Sequence, residues 1–458
     1  MDIRFMEQYG ALPFYGRGEK IINTRIALRV RRSTMVVLLI IQVLVLIGCA
    51  PAPAIVEATL TPSATVVLET AIPTQLPETP TLTTTPFVPK AVIKIAVHSP
   101  LSGNQAIFGT DLMRGAQLAV EQLSGPLAEE GYQIELVPYD DRNNSETALA
   151  NTKEIVGNPA ILCSVGHLSS RITVQTSEVY HQAGLALIAP STTSTNLTDR
   201  RYLEINRLIG RIDRQGIAGA QFAKDQGFTN VYIISEKNDY GLQNAEHFRL
   251  EADRIGIQVL GMLIPDVNDS LDSMVSRMMT ANPELVYFAG TADQAIQFFK
   301  AARAAGFMGA FLGLDDLNNP PLFNVAGASL VQGGGIYFTI LTAPANFYPD
   351  TAGFIEAYEV QYNTAPLLFA ARAYDATGMC IKAIEVAAKA KGGEIPTRAE
   401  VVNAIRALKD YTGITGTYTF NDQGDLTLAK YYVFKVVSVD AAKWDQNSII
   451  ASYDIAPP

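Results

Sequence analysis

The chain has 458 residues, enough for two or three ordinary domains, and it carries a formal net charge of −10. This acidic balance excludes the basic face that nucleic-acid binding requires, so we expect no nucleic-acid partner. The three cysteines lie far apart and match neither a disulfide framework nor a metal-binding pattern. We therefore expect no metal and no cofactor.

The N-terminal segment, residues 1–49, has the features of a signal peptide. Residues 35–47 are apolar except for Gln42, too short to span a bilayer comfortably but of the length of a signal-peptide core, and Arg25, Arg29, Arg31 and Arg32 precede them. Gly48-Cys49 follows and resembles the bacterial lipobox, in which the cysteine receives diacylglycerol. The alternative is a short membrane anchor with a chance cysteine. The basic segment is unusually long, which indicates either a later start codon or an uncleaved cytoplasmic extension.

Residues 50–90 are rich in threonine and proline, and up to residue 89 they contain no lysine or arginine. A segment with so few large apolar residues cannot bury enough surface to offset its conformational entropy. Proline makes such a chain extended. We predict a disordered tether between the membrane and a folded domain.

From residue 91 onward, apolar runs alternate with amphipathic segments, which predicts an α/β fold with parallel sheets covered by helices. Strands are predicted at 92–97, 133–138, 160–165, 185–189, 231–235, 257–264, 284–289, 310–314 and 334–339. Helices are predicted at 111–123, 145–157, 170–182, 214–225, 241–255, 269–280, 291–305, 350–363, 368–390 and 397–408. A chain of this length favours two sheets. Because ligands of such folds bind at the carboxyl ends of strands, the loops there are the candidate site.

Two of these loops are rich in hydroxyl groups. Ser169 and Ser170 come at the start of a predicted helix, where they could simply cap it or could hold an anion beside free backbone N–H groups. Residues 191–195 are five consecutive hydroxyl residues after an apolar strand. These residues would suit a carboxylate.

Three other loops offer acidic or aromatic side chains. Phe108 precedes a predicted helix, as a hydrophobic staple or a pocket wall, and Tyr240 stands at another helix entry. Asp315 and Asp316 end a predicted strand. An acid for an ammonium group, hydroxyls for a carboxylate and aromatic rings for an apolar side chain together suit an amino acid.

An ordered series of short motifs makes the chain recognisable from about Lys94 to its C-terminus. The motifs are Ile95-Ala96-Val97, Pro100-Leu101-Ser102-Gly103, Phe108-Gly109, Gly115-Ala116, Tyr139-Asp140-Asp141, Gly166-His167-Leu168-Ser169-Ser170, Ala189-Pro190-Ser191-Thr192-Thr193, Leu197-Thr198, Arg207, Asp213, Gln215-Gly216, Tyr240-Gly241, Tyr374-Asp375-Ala376, Gly416, Phe420 and Gly424-Asp425. With them the chain resembles the periplasmic binding proteins of branched-chain amino acid ABC transporters, the leucine/isoleucine/valine-binding group.

The resemblance implies a periplasmic-binding-protein type I (Venus flytrap) fold of two Rossmann-like lobes joined by three crossovers. One lobe would comprise residues 91–211 plus 339–414, and the other residues 212–338 plus 415–455. It also implies an extracytoplasmic lipoprotein, expected to be a monomer, that binds an amino acid between the lobes and delivers it to the permease of an ABC importer. Hinge closure around the ligand would be its working motion.

The resemblance assigns roles to four residues that would bind the ends of the amino acid. Ser170 matches the serine that binds the ligand α-carboxylate, and Ser191 matches a residue that makes backbone contacts. Thr193 matches the threonine beside the ammonium and carboxylate groups. Asp315 matches an acid that pairs with the α-ammonium, where the best-known members have glutamate.

Three further residues match the walls of the family's pocket. Phe108 replaces a pocket tyrosine, and Tyr240 keeps one. Thr291 stands where some members have another tyrosine, so the resemblance implies a smaller or more polar wall there.

The best-known members also have a disulfide, and its two positions correspond here to Asn143 and Ser169. Both halves are therefore absent together. Cys163, near a strand end, and Cys380, in an apolar helix, are expected to be buried free thiols.

Three other functions compete with transport of an amino acid. The same fold could sense a ligand for a membrane receptor, or it could bind an amide, urea or an aromatic acid, as other family members do. His167 beside Ser169 and Ser170 also invites interpretation as an activated nucleophile, but the chain has no Gly-x-Ser-x-Gly motif. We therefore predict that the protein is not an enzyme.

Overall fold

A computed structural model of the protein describes residues 89–266 and 268–458. The predicted signal peptide, Cys49 and nearly all of the predicted tether lie outside the described residues. The strands are β1 (Ala91–Ser99), β2 (Tyr132–Asp140), β3 (Ile161–Gly166), β4 (Ala186–Ala189), β5 (Ile205–Arg207), β6 (Asn230–Ser235), β7 (Gln258–Leu263), β8 (Leu285–Ala289), β9 (Ala310–Gly313), β10 (Ile336–Ile340), β11 (Tyr411–Thr412), β12 (Thr417–Tyr418), β13 (Ala429–Val436) and β14 (Ser448–Ile455).

The α-helices alternate with the strands along most of the described chain. They are α1 (Ala106–Leu123), α2 (Gly125–Glu129), α3 (Ser145–Gly157), α4 (Ser170–Gln182), α5 (Gln215–Asp225), α6 (Asp239–Ile255), α7 (Leu271–Ala281), α8 (Ala292–Ala304), α9 (Pro320–Ala326), α10 (Ala352–Tyr362), α11 (Ala370–Ala390) and α12 (Arg398–Ala407). Short 3-10 helices occupy Thr195–Leu197, Ile212–Arg214, Asp315–Leu317, Ala328–Val331, Ala345–Phe347 and Ala441–Gln446.

Two large sheets organise the fold, and their parallel parts have the same strand order. Sheet 1 runs β2-β1-β3-β4-β5 and is parallel throughout. Sheet 2 runs β14-β13-β10-β9-β8-β6-β7, with β6 to β10 parallel and β13 and β14 antiparallel at one edge. The direction in which successive strands are added to the sheet reverses between β1 and β3 in sheet 1 and between β6 and β8 in sheet 2. Ligands of such sheets bind at these reversal points.

The chain passes between the two sheets three times. It leaves sheet 1 after β5 to build sheet 2, and it returns after β10, because α11 and α12 pack on sheet 1 in one apolar cluster. It then crosses again to add β13 and β14 to sheet 2. The α/β fold of two lobes with three crossovers, predicted from the sequence, is confirmed.

Helix α1 begins earlier than its predicted start at Asp111. The predicted apolar face is present, since Leu112 and Ala116 are buried. Asp111 does not lie at the helix terminus; its buried carboxylate instead accepts hydrogen bonds from the backbone N–H groups of Phe369 and Ala370, both at 2.9 Å. Asp111 therefore binds the start of α11 and does not mark the start of its own helix.

The two cysteines predicted to be free thiols form a disulfide instead, and that prediction is wrong. Cys163 in β3 and Cys380 in α11 have Cα atoms 6.0 Å apart, although they are separated by 217 positions in the sequence. Both are fully buried, where α11 packs on sheet 1. The bond therefore joins the N-terminal strands to a helix that arrives only after the second crossover.

Removal of this disulfide by the double substitution C163A/C380A is expected to lower the free energy of unfolding by about 2 to 5 kcal/mol. A cross-link that closes so long a loop restricts the unfolded chain strongly. Urea unfolding followed by circular dichroism measures the change. The control is wild-type protein that is reduced before refolding, because it lacks the cross-link but has none of the small cavities that alanine leaves. Equal free energies of unfolding for reduced and oxidised wild type would contradict the prediction.

Candidate ligand-binding site

Three predicted site residues lie together at the carboxyl edge of sheet 1. Ser170 is the first residue of α4, and its Oγ accepts a hydrogen bond from the backbone N–H of Thr193 at 3.2 Å. Ser191 Oγ lies 2.8 Å from the carbonyl oxygen of His167 and 3.0 Å from that of Leu168, so it joins the loops after β3 and β4. The two loops are thereby held as one unit.

The N-terminus of α4 lies at this edge and lacks a side-chain cap. Ser169 is the N-cap residue, but its side chain makes no capping hydrogen bond, contrary to the capping role considered from the sequence. The first N–H groups of a helix without a cap, together with the positive end of its dipole, favour a carboxylate. Ser170 and Thr193, both partly exposed and hydrogen-bonded to each other, lie at this helix start.

Asp315 and Tyr240 lie together at the carboxyl edge of sheet 2. Tyr240 Oη donates to Asp315 Oδ1 at 2.6 Å, and Gln215 Nε2 donates to the same oxygen at 2.7 Å. No side chain among the described residues donates a hydrogen bond to Oδ2. Burial raises the pKa of the Asp315 carboxyl, while the two donors act in the opposite direction.

Thr291 and Glu236 form a second polar pair on sheet 2. Thr291 is the N-cap residue of α8, and its N–H donates to Glu236 Oε1 at 2.9 Å. Its hydroxyl donates to the same oxygen. Asn238 Nδ2 donates to Glu236 Oε2 at 2.7 Å, so both carboxylate oxygens are engaged. Thr291 is thus hydrogen-bonded to a buried acid. Because its side chain is short, the surface that it presents at this position is small and polar.

Phe108 lies in the first turn of α1, the helix that follows β1 of sheet 1. Its ring meets that of Phe369 edge-on, with the centroids 6.0 Å apart, and its side chain is half-buried. Because Phe108 lies inside the helix, it is not the staple residue that precedes an N-cap. It provides an apolar surface on the same side as Ser170.

The predicted residues therefore form two groups. At the carboxyl edge of sheet 1, Ser170 and Thr193 are hydrogen-bonded and Ser191 joins their loops, and at that of sheet 2, Tyr240 and Asp315 are hydrogen-bonded. No hydrogen bond or ion pair among the described residues joins one group to the other. The first group favours an anion, and the second offers a carboxylate oxygen to a cation.

Comparison with known proteins identifies the family. The model of the periplasmic binding protein family matches residues 92–442. The chain belongs to the periplasmic binding protein family.

Relatives of this binding protein cover the same region. It is 28% identical over 347 residues to a leucine-, isoleucine-, valine-, threonine- and alanine-binding protein of Pseudomonas aeruginosa, with 75% of this chain and 89% of that protein aligned. A substrate-binding protein of Desulfitobacterium hafniense in complex with leucine has a TM-score of 0.62 at 21% identity, with 78% and 100% of the chains covered. A solute-binding protein of R. palustris in complex with benzoate has a TM-score of 0.56 at 18% identity, with 80% and 98% covered. The solved structures support the fold.

Membership in this family establishes a solute-binding protein of the branched-chain amino acid ABC transporter type, not an enzyme, that works outside the cytoplasm. The disulfide is compatible with that location, because disulfides persist in oxidising compartments. Within residues 89–266 and 268–458, none of the helices has the length and apolar character needed to cross a membrane.

His167 of the binding protein is not placed to activate a nucleophile. Its Nδ1 lies 3.1 Å from Asp141 Oδ2, and its Nε2 lies 3.0 Å from Thr176 Oγ1. The ring is fully buried, and burial lowers the pKa of His167 to about 3. Both nitrogens are engaged away from Ser170, so the histidine supports the loop that leads into α4.

Two residues near the site had no role in the sequence-based prediction, Gln215 and Glu236. Glu236 directly follows β6, as Asp315 follows β9 after one residue, so an acid at a strand end was an available signal. Gln215 lies at the start of α5, 100 positions before Asp315 in the sequence. Its contact with Asp315 depends on the packing of α5.

Proposed function

We propose that this binding protein captures an amino acid, branched-chain or closely related, in the cleft between its lobes. The observation that supports this most strongly is the asymmetric environment of Asp315, whose Oδ1 accepts from two side chains, whereas no side chain in the described part of the chain donates to Oδ2. An ammonium group would pair with Oδ2. A carboxylate alone would be repelled by it.

In the proposed complex, the α-carboxylate lies at the N-terminus of α4 against Ser170 and Thr193, and the α-ammonium lies against Asp315. Ser191 holds together the loops that carry Ser170 and Thr193. The side chain of the ligand then faces Tyr240, Phe108 and Thr291. The name of the Pseudomonas relative gives ligands of this kind, and the Desulfitobacterium protein is in complex with leucine.

The proposed working motion is closure of two lobes, residues 91–211 plus 339–414 and residues 212–338 plus 415–455, around the ligand. The closed monomer would then deliver the amino acid to the permease of an ABC importer. A lipid on Cys49 and the Thr/Pro-rich tether would keep the receptor close to that permease, which raises its effective concentration even if their contact is weak. Release of the chain from membranes on replacement of Cys49 tests the anchor.

Thermal unfolding in the presence of each common amino acid, benzoate or urea tests the ligand class. A ligand that binds only the folded state stabilises it by about 2.7 kcal/mol at a concentration 100 times its Kd. We expect a branched-chain amino acid to raise the melting temperature most. A shift with benzoate or urea and with none of the amino acids would contradict the proposal, and benzoate is the relevant competitor because the R. palustris neighbour binds it.

A further inference from the structure

Gln215 is a fully buried polar residue that lies behind the candidate acid. It is the first residue of α5. Its Nε2 lies 2.7 Å from Asp315 Oδ1, and its Oε1 lies 2.8 Å from Thr339 Oγ1. Its side chain is 0% exposed, so both ends of the amide find partners in the protein interior.

The chemistry of the partners fixes the orientation of this amide. An ionised carboxylate only accepts hydrogen bonds, so the NH₂ group must face Asp315. The amide oxygen then faces Thr339, whose hydroxyl donates to it. Thr339, Gln215 and Asp315 thus form a chain of donors that points in one direction and ends on the carboxylate.

This chain determines how Asp315 presents its charge. With Gln215 and Tyr240 both donating to Oδ1, rotation of the carboxylate would cost two charge-assisted hydrogen bonds. Oδ2 is therefore held in one position. Without Gln215, Tyr240 would hold the carboxylate by a single hydrogen bond. The pKa of the half-buried Asp315 would then lie closer to neutral pH.

We infer that Gln215 is a positioning residue, which holds Asp315 so that Oδ2 faces the cationic group of the ligand and which thereby selects an amino acid over the same skeleton without an ammonium group. The inference rests on the proposed function. It adds a specificity determinant that does not touch the ligand itself.

The test compares L-leucine with 4-methylpentanoate, which has the same carbon skeleton and carboxylate but no ammonium. Both are titrated calorimetrically into the full chain and into its Gln215→Met variant from pH 7.5 to pH 5. We expect the substitution to weaken L-leucine about 10- to 100-fold. The affinity for 4-methylpentanoate should change by less than about threefold, because that ligand makes no ion pair with Asp315.

The pH profile separates positioning from a general structural effect. Loss of the Nε2 donor raises the pKa of Asp315, so on acidification the affinity for L-leucine should start to fall at a higher pH in the variant than in wild type. Equal weakening of both probes, or an unchanged pH profile, would overturn the inference. Failure of wild type to bind L-leucine or any other amino acid would instead overturn the proposed function.

Two further variants control the experiment. Gln221 lies on the same helix and donates to Glu251 Oε1 at 3.1 Å, so Gln221→Met removes a comparable bond remote from Asp315 and should leave both probes unaffected. Thr339→Val removes only the hydroxyl that orients Gln215. It should shift the affinity and the pH profile in the same direction as Gln215→Met, by a smaller amount, and it tests the inference even if Gln215→Met does not fold. No shift in Thr339→Val would then overturn it.

Discussion

Replacement of Asp315 by alanine is expected to abolish measurable binding of L-leucine. The α-ammonium would then be desolvated in the closed cleft without a counter-charge. Loss of one member of a buried, hydrogen-bonded charge pair costs about 2 to 5 kcal/mol, which is about 30-fold to several thousand-fold in Kd. Isothermal titration calorimetry at pH 7.5 measures the loss directly.

Two controls show whether the charge of Asp315 is responsible. Asp315→Asn keeps the shape of the side chain and an oxygen for Gln215 and Tyr240, so a loss similar to that of the alanine variant assigns the effect to the charge. Asp316→Ala removes a neighbouring acid whose carboxylate accepts the N–H of Ala292 at 2.7 Å. It should retain most of the affinity. Unchanged binding by Asp315→Ala would refute the assignment of this residue to the ammonium.

Replacement of Asp425 by alanine is expected to have the largest effect on stability, about 3 to 5 kcal/mol. Its carboxylate is 2.9 Å from Arg207 Nε and 3.4 Å from Arg211 Nη1, and it accepts a hydrogen bond from Thr198 at 2.8 Å. Arg207 is fully buried, and burial lowers its pKa. Without Asp425, its guanidinium would remain in the interior without a carboxylate, a state in which a charge is strongly unfavourable.

A surface ion pair is the matched control for Asp425. Lys430 Nζ lies 2.8 Å from Asp454, and the two side chains are 44% and 55% exposed. Asp454→Ala should change the free energy of unfolding by no more than about 1 kcal/mol, because solvent screens such pairs. Similar losses in the two variants, measured by urea unfolding, would contradict the prediction for Asp425. Arg207 is the last residue of β5, and Asp425 lies between α12 and β13, so the Arg207–Asp425 ion pair also links the start of the first connection between the sheets to the third connection.

Most of the secondary structure could be predicted, because it depends on local patterns. Strands such as β3 are buried along their whole length, as the run 160–165, apolar except for Ser164, indicates. The antiparallel edge of sheet 2 could not be predicted in this way. In β14 exposed residues alternate with partly buried ones, and its strand character depends on pairing with β13. The two-residue strands β11 and β12 carry even less local signal.

The candidate site could be predicted only in part. Ser170 and Asp315 follow strands, and strand ends of parallel sheets are where ligands bind, so position along the chain was sufficient to select them. The partners that orient them were not predictable. Gln215 is 100 positions from Asp315, and Thr339 is 124 positions from Gln215. Which side chains meet across such separations depends on the order of the strands and the packing of α5.

By itself, the sequence determined the alternation of strands and helices, the family and the loops that carry the candidate site, because each is encoded in short stretches of residues. Only the tertiary structure decided that Cys163 and Cys380 form a disulfide and that Gln215 supports Asp315. The disulfide joins segments on opposite sides of two crossovers, and Gln215 and Asp315 lie 100 positions apart within one lobe. Formation of both contacts requires backbone distances and side-chain directions that exist only after the sheets have assembled and the helices have packed on them.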